Sequence, residues 1–186
     1  MMKKDSTEIT RQIACQLKKQ RQQKRWSLDR TAQATGVSKA MLGQIEREES
    51  SPTIATLWKI ATGLQCSFSS FITSEDSVAN TFSEQKLATF RHDPHMQVAT
   101  LFTFNPMTRM EAFEITLTNQ HEQISTAHAS GVLEHIHVLQ GALSVWQGES
   151  WQQIDEGKQC ILQADKEHGY RDEAGQTTFI DIICYP

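Results

Sequence analysis

Several absences narrow what this chain of 186 residues can be. No apolar run approaches the roughly 20 residues that a membrane span needs. The opening MMKKDSTEIT lacks the apolar segment of a secretory signal, so a cytoplasmic protein without a membrane partner is expected. None of the four cysteines (Cys15, Cys66, Cys160, Cys184) falls in a CxxC, and no Cys/His spacing suggests a structural zinc site. Buried thiols acting as small hydrophobes are then expected. No histidine precedes residue 90, although the chain has seven. Positive charge is scarce in the second part: residues 67–186 hold 6 Lys/Arg against 16 Asp/Glu, whereas residues 1–66 hold 12 against 6. A basic part can meet phosphate and an acidic part is repelled by it, so two domains with different partners are expected.

What is present centres on WSLDRTAQATGVSKAMLGQIEREESSP, Trp26 to Pro52. Leu28 and Ala32, then Leu42 and Ile45, stand at helical spacing. Ser27 and Ser38 are placed to cap two helices, Leu28–Thr35 and Lys39–Arg47, by accepting an unsatisfied backbone N–H. Gly36 between them takes positive φ cheaply, so the second helix can leave at a steep angle. This is the spacing of a helix-turn-helix, which presents its second helix to the major groove of double-stranded DNA. With Leu42 and Ile45 inward, the outward positions are Lys39, Ala40, Gly43 and Gln44. Lys can donate to guanine, Gln can pair with an adenine edge and Ala can touch a thymine methyl. Gly43 suggests close approach to the groove or to a neighbouring backbone.

A helix over residues 6–24, capped by Ser6 or Thr7, is expected from Ile9, Ile13 and Leu17. Its end carries Lys18, Lys19, Arg21, Lys24 and Arg25, a cluster suited to phosphates. Trp26 is expected in the small core. Thr53 should cap a fourth helix that ends at Gly63, and Ser67 a fifth over Phe68–Ile72.

On these residues the first part resembles the lambda-repressor-like (Cro or XRE-type) helix-turn-helix family. The resemblance runs through Gly36-Val37-Ser38, Ile45-Glu46-Arg47, Pro52 and Leu57-Trp58-Lys59-Ile60-Ala61. It implies an all-α, five-helix DNA-binding domain with Ser38, Lys39, Ala40, Gln44 and Arg47 nearest the DNA. The family usually has a phosphate-clamping Gln where this chain has Leu28.

The expected domain limits are 1–73 for the helical part, 74–86 for a polar linker (SEDSVANTFS at its start) and 87–186 for an all-β part. Alternating segments Gln97–Phe104, Glu111–Leu117, Glu134–Leu139, Leu143–Trp146, Cys160–Leu162 and Thr177–Ile183 read as strands separated by turn residues, as in a sandwich or small barrel. EHIHVLQGALSV, from Glu134, and ADKEH, ending at His168, are similar to two cupin motifs, which imply a small jelly-roll barrel. Metal-binding cupins usually offer two histidines shortly before the glutamate; here only His128 stands there. His135 and His137 alternate away from the face of Glu134, Ile136 and Val138, so they are expected outside the barrel.

The candidate effector site is therefore His128, Glu134 and His168, with Cys160, Leu162 and Tyr170 as further lining. Two imidazoles and a carboxylate suit Zn, Fe, Mn or Ni, so His128, Glu134 and His168 are candidate metal ligands. The alternative is a metal-free pocket in which these groups bond one another or an effector; no cofactor is certain.

The combination is similar to bacterial cupin-bearing regulators of sulphur utilisation. It implies a non-enzymatic transcriptional regulator, dimeric on a near-palindromic operator, whose barrel senses a small-molecule effector. The alternative is an enzyme like the iron-dependent phosphonate epoxidases, which also join a Cro-type domain to a cupin. The six-residue gap from His128 to Glu134 departs from the short spacing of their metal triad.

Overall fold

The computed structural model describes residues 2–72, 89–90 and 93–186. The chain divides into two compact units, residues 1–84 and 85–186. The expected linker at 74–86 lies outside the described residues.

The first unit holds α1 (Met2–Gln23), α2 (Leu28–Thr35), α3 (Lys39–Glu46), α4 (Ile54–Leu64) and α5 (Ser69–Ile72). Ser6 and Thr7 lie inside α1, not at its start. Its last turn closes where Arg25 adopts φ 55° and the Trp26 N–H donates to the Arg21 carbonyl at 3.0 Å. Three expected caps are present. The hydroxyl oxygens of Ser27, Ser38 and Thr53 accept from the N–H groups of Arg30, Met41 and Thr56 at 3.1, 3.2 and 3.2 Å. Ile13, Leu17, Leu42, Ile45, Leu57, Ile60, Phe68 and Phe71 are buried and form one core around α3.

Further expectations fail here. α5 starts at Ser69, so Ser67 does not stand directly before it, and the Ser67 carbonyl accepts from the Ser70 hydroxyl at 2.6 Å. Gly63 does not end α4; the helix runs on to Leu64 and stops at Gln65, which adopts φ 53°. A Cβ at Gly63 would lie 2.6 Å from the Ala34 carbonyl oxygen, so its reason is the close backbone approach of α4 to α2. Trp26 is half-buried, outside the core. Lys24 Nζ lies 5.5 Å and Arg30 Cζ 5.3 Å from its ring centroid, so two cations rest on its faces.

The second unit is two antiparallel sheets. One has six strands in the order β1 (Thr89–Phe90), β2 (Met96–Asn105), β3 (Met110–Thr118), β10 (Gln176–Cys184), β5 (Leu133–Gln140), β8 (Gln159–Gln163). The other has four: β4 (Glu122–Ser125), β9 (His168–Asp172), β6 (Ala142–Gln147), β7 (Ser150–Asp155). From β3 to β6 and again from β7 to β10, successive strands alternate between the sheets, as in the small jelly-roll of a cupin. Six strands fall where alternation placed them; β1, β4, β7 and β9 are additional. Gly141, at φ 86°, makes the β5–β6 turn, and a Cβ there would meet the Gln176 carbonyl oxygen at 2.5 Å.

Period two sets the interior. Glu134, Ile136 and Val138 on β5 are buried, as are Thr177, Phe179, Asp181 and Ile183 on β10 and Glu111, Phe113, Ile115 and Leu117 on β3. His135 and His137 alternate with the buried set and lie on the outer face.

Candidate functional site

The residues expected at DNA and those expected at an effector fall in separate units, and each set has its own logic. Ser38, Lys39, Ala40, Gln44 and Arg47 are exposed along α3 and its C-terminal end. Lys39 Nζ is held 2.8 Å from Asp29 on α2. The Arg47 guanidinium makes two bonds to Glu49, at 2.8 and 2.7 Å, which raise the arginine's pKa and lower the glutamate's. Exposed pairs of this kind contribute little in water, so either cation can exchange its carboxylate for DNA at small cost.

Gly43 is not on the outward face. It is buried, and a Cβ there would meet Arg47 Nη1 at 3.1 Å and Leu28 Cδ1 at 3.8 Å. The absent side chain makes room for Arg47 and Leu28.

Lys18 and Lys19 are exposed on α1, and Arg25 is exposed in the turn that follows. Arg21 leaves the expected basic cluster. Its guanidinium bonds both Glu46 oxygens, at 2.6 and 2.8 Å, and donates to the Trp26 carbonyl at 3.0 Å. The Glu46 hydrogen bonds raise its pKa against the opposing effect of burial. It ties α1 to α3.

In the barrel, the six-residue gap from His128 to Glu134 does not separate them. His128 Nε2 lies 3.0 Å from Glu134 Oε1, because the loop between β4 and β5 carries the imidazole back to the strand. His168, at the start of β9, reaches the same oxygen from the other sheet, with Nε2 at 3.4 Å. The Tyr170 hydroxyl donates to Glu134 Oε2. The candidate donors of His128, Glu134 and His168 all lie within 4.8 Å of one another. Cys160, opposite Ile136 on β8, and Leu162, opposite Glu134, share the inner face.

Burial raises the Glu134 carboxyl, and the neighbouring imidazoles of His128 and His168 more than reverse this, so its pKa lies below the usual carboxylate range. Burial lowers the His168 imidazole, while Glu134 and the Lys166 carbonyl raise it above its ordinary value. Tyr170 is pushed well up by burial and then by Glu134 and Asp181. Cys160 is pushed up to about 11 by burial and the same two carboxyls, so its thiol is not a nucleophile at neutral pH.

His168 supplies the fit test for a metal. Its Nδ1–H donates to the Lys166 carbonyl at 2.8 Å, which leaves the fully buried Nε2 facing Glu134 Oε1 at 3.4 Å without a well-formed hydrogen bond. That is how ligating imidazoles are oriented, with the second nitrogen fixed by a carbonyl. The donor set fits a divalent transition metal.

Sequence reasoning missed Asp181, Glu111 and Tyr185. Asp181 is 2% exposed, and its Oδ1 has no hydrogen-bond partner. Glu111 is 1% exposed and accepts from the Tyr185 hydroxyl. The signal was the alternation itself: Asp181 shares parity with Phe179 and Ile183, and Glu111 with Phe113 and Ile115.

The helix-turn-helix family model (HTH_3) matches residues 17–71. The HTH-type transcriptional regulator SutR of Escherichia coli K12 is 43% identical over 182 residues, which span 96% of this chain and 97% of that protein. The crystal structure of an HTH_3 family transcriptional regulator from Vibrio cholerae matches with 46% identity and a TM-score of 0.86, over 97% of this chain and 98% of that one. The Cupin_2 domain of an XRE family regulator from Enterobacter cloacae matches half of this chain and 98% of its own, with 29% identity and a TM-score of 0.48.

Proposed function

Because this chain belongs to the helix-turn-helix family of transcriptional regulators, we propose that α3 reads a specific operator while the barrel senses a small-molecule effector. The observation that carries the DNA half is the exposed row of Lys39, Ala40, Gln44 and Arg47 on a helix whose other side is locked into the core by Leu42 and Ile45. Ser38, Lys18, Lys19 and Arg25 add bonds to the DNA backbone. A rigid helix with its polar edge outward suits direct readout, and phosphates held by α1 fix its register.

The barrel half rests on the Glu134 cluster, a polar group set inside an apolar barrel. His128, Glu134, Cys160, His168 and Tyr170 line the effector site. A buried ionised carboxylate with two imidazoles and a phenol costs folding energy, so a ligand that uses these groups is the simplest reason for them. Effectors related to sulphur metabolism are the expectation carried by the resemblance of the sequence to regulators of sulphur utilisation. The effector acts by binding the operator-competent and incompetent states unequally.

A homodimer is the expected active form. Leu133 and Leu139 on the outer face of β5 and Ile161 on β8, which is 61% exposed, give an apolar patch beside the outer histidines. A second copy would cover it.

A second reading concerns a metal. The convergence of the three donors within 4.8 Å of one another, with His168 Nε2 making no well-formed hydrogen bond, favours a divalent ion held by His128, Glu134 and His168. Such an ion would supply a Lewis-acidic anchor for an effector heteroatom. Metal analysis of protein purified without chelator tests it. Stoichiometric iron in a protein without operator affinity would favour the epoxidase-like reading over the regulator.

The test of the DNA reading begins with fragments selected from genomic DNA. Gln44→Ala and Lys39→Ala should each lose about 1–3 kcal/mol of discrimination between the selected duplex and a scrambled one. Unchanged selectivity would remove α3 from the groove.

A further inference from the structure

Three acids on three adjacent strands meet inside the barrel. Ile183 on β10 pairs with Glu111 on β3 and with Glu134 on β5, and Asp181 stands two residues along β10 on the same face. Asp181 is therefore the diagonal neighbour of both glutamates, at a distance of about 7–8 Å. All three are at most 2% exposed.

The partners are unequal. Glu134 has His128 and Tyr170, and Glu111 has the Tyr185 hydroxyl. Asp181 Oδ1 is buried without a hydrogen bond. No Lys or Arg is among the described buried residues. A buried carboxyl group without a partner is costly, and a cation brought by a ligand would remove that cost.

We propose that the barrel interior carries an ammonium site, in which an effector bearing a primary amine places that group between Asp181 and Glu111. The inference rests on the effector reading above and names the chemical class of ligand. An ammonium has three donors that can fan out to carboxylates on two strands. A hard metal ion fits this pair poorly, because Ca²⁺ or Mg²⁺ needs about six or more close oxygens and two separated carboxylates cannot supply them. Phe113, Ile136 and Phe179, on the same inner faces, would take the apolar body of the ligand.

The test uses the full chain, in EDTA, with three probes of one shape: n-butylamine, 1-butanol and butyrate. Calorimetry should detect the amine, with little or no binding of the alcohol or the acid. Asp181→Asn and Glu111→Gln, on different strands and both near-isosteric, should each weaken the amine about tenfold or more. Equal behaviour of amine and alcohol on the unaltered chain would overturn the site without recourse to any variant. Undiminished amine binding in both variants, each checked for a cooperative unfolding transition, would do the same.

Operator affinity measured with each probe separates this from the underlying reading. Amine binding without any change in operator affinity keeps the ammonium site and removes the effector role. An operator response to butyrate but not to butylamine keeps the effector role and removes the ammonium site.

Discussion

In the unfolded chain Asp181 ionises as an ordinary aspartate. In the barrel, burial first and then Glu134 and Glu111 hold its pKa well above that value. Between the two values the folded state binds more protons than the unfolded one, so the contribution of Asp181 to stability falls as pH rises through that window. Glu134 works the other way, since its folded value is depressed and its contribution is lost only in acid. The His168 contribution, with a raised folded value, is lost as pH rises through that value. Asp181→Asn isolates the first of these. Near pH 4 the variant and the unaltered chain should unfold at similar temperatures, and by pH 8 the variant should unfold at a higher one. Thermal unfolding at the two pH values checks this; a constant difference would mean that Asp181 ionises normally inside the barrel.

At the level of elements, two glycines in neighbouring helices make opposite predictions. The Cβ of Gly63→Ala would lie 2.6 Å from both the Ala34 carbonyl oxygen and Thr35 Cα, so α2 and α4 must part. Overpacking of this kind costs about 1–3 kcal/mol, more than the roughly 1 kcal/mol of helix propensity gained. Gly43→Ala meets a flexible guanidinium tip, which can move, so it should be neutral or stabilising by up to about 1 kcal/mol. Urea unfolding of both variants decides. Neither role was legible in the sequence, where Gly63 reads as a helix end and Gly43 as a groove-facing position, because both depend on which other element comes close. The caps at Ser27, Ser38 and Thr53 were legible because each is a bond three residues along the chain. In the barrel, β5 and β10 declared themselves by alternation. β9 did not, since Gly169 and Arg171 break its apolar pattern and its inner residues include His168 and Asp172. The union of His128 with Glu134 was open to parity and motif only in part, because a loop and not a strand delivers the imidazole.

The whole molecule divides its charge as it divides its fold, with 12 Lys/Arg to 6 Asp/Glu in residues 1–66 and 6 to 16 in residues 67–186. Phosphate attraction therefore falls on the helical unit, and its strength should track the number of cations that displace counterions. Lys18 and Lys19 are exposed on α1, whereas Arg21, one turn away, is engaged by Glu46 and the Trp26 carbonyl. Lys18→Gln with Lys19→Gln should weaken the selected and the scrambled duplex by the same factor. The slope of log K against log salt should shrink by about 0.9 for each phosphate left without its cation, and by twice that in a dimer. Arg21→Gln should leave that slope nearly intact and instead lower the unfolding temperature, because it leaves Glu46 half-buried without its cation. Gln44→Ala should alter only the selected duplex. If the lysine pair leaves the salt slope untouched, or Arg21→Gln flattens it, the α1 surface is not where this protein meets the DNA backbone.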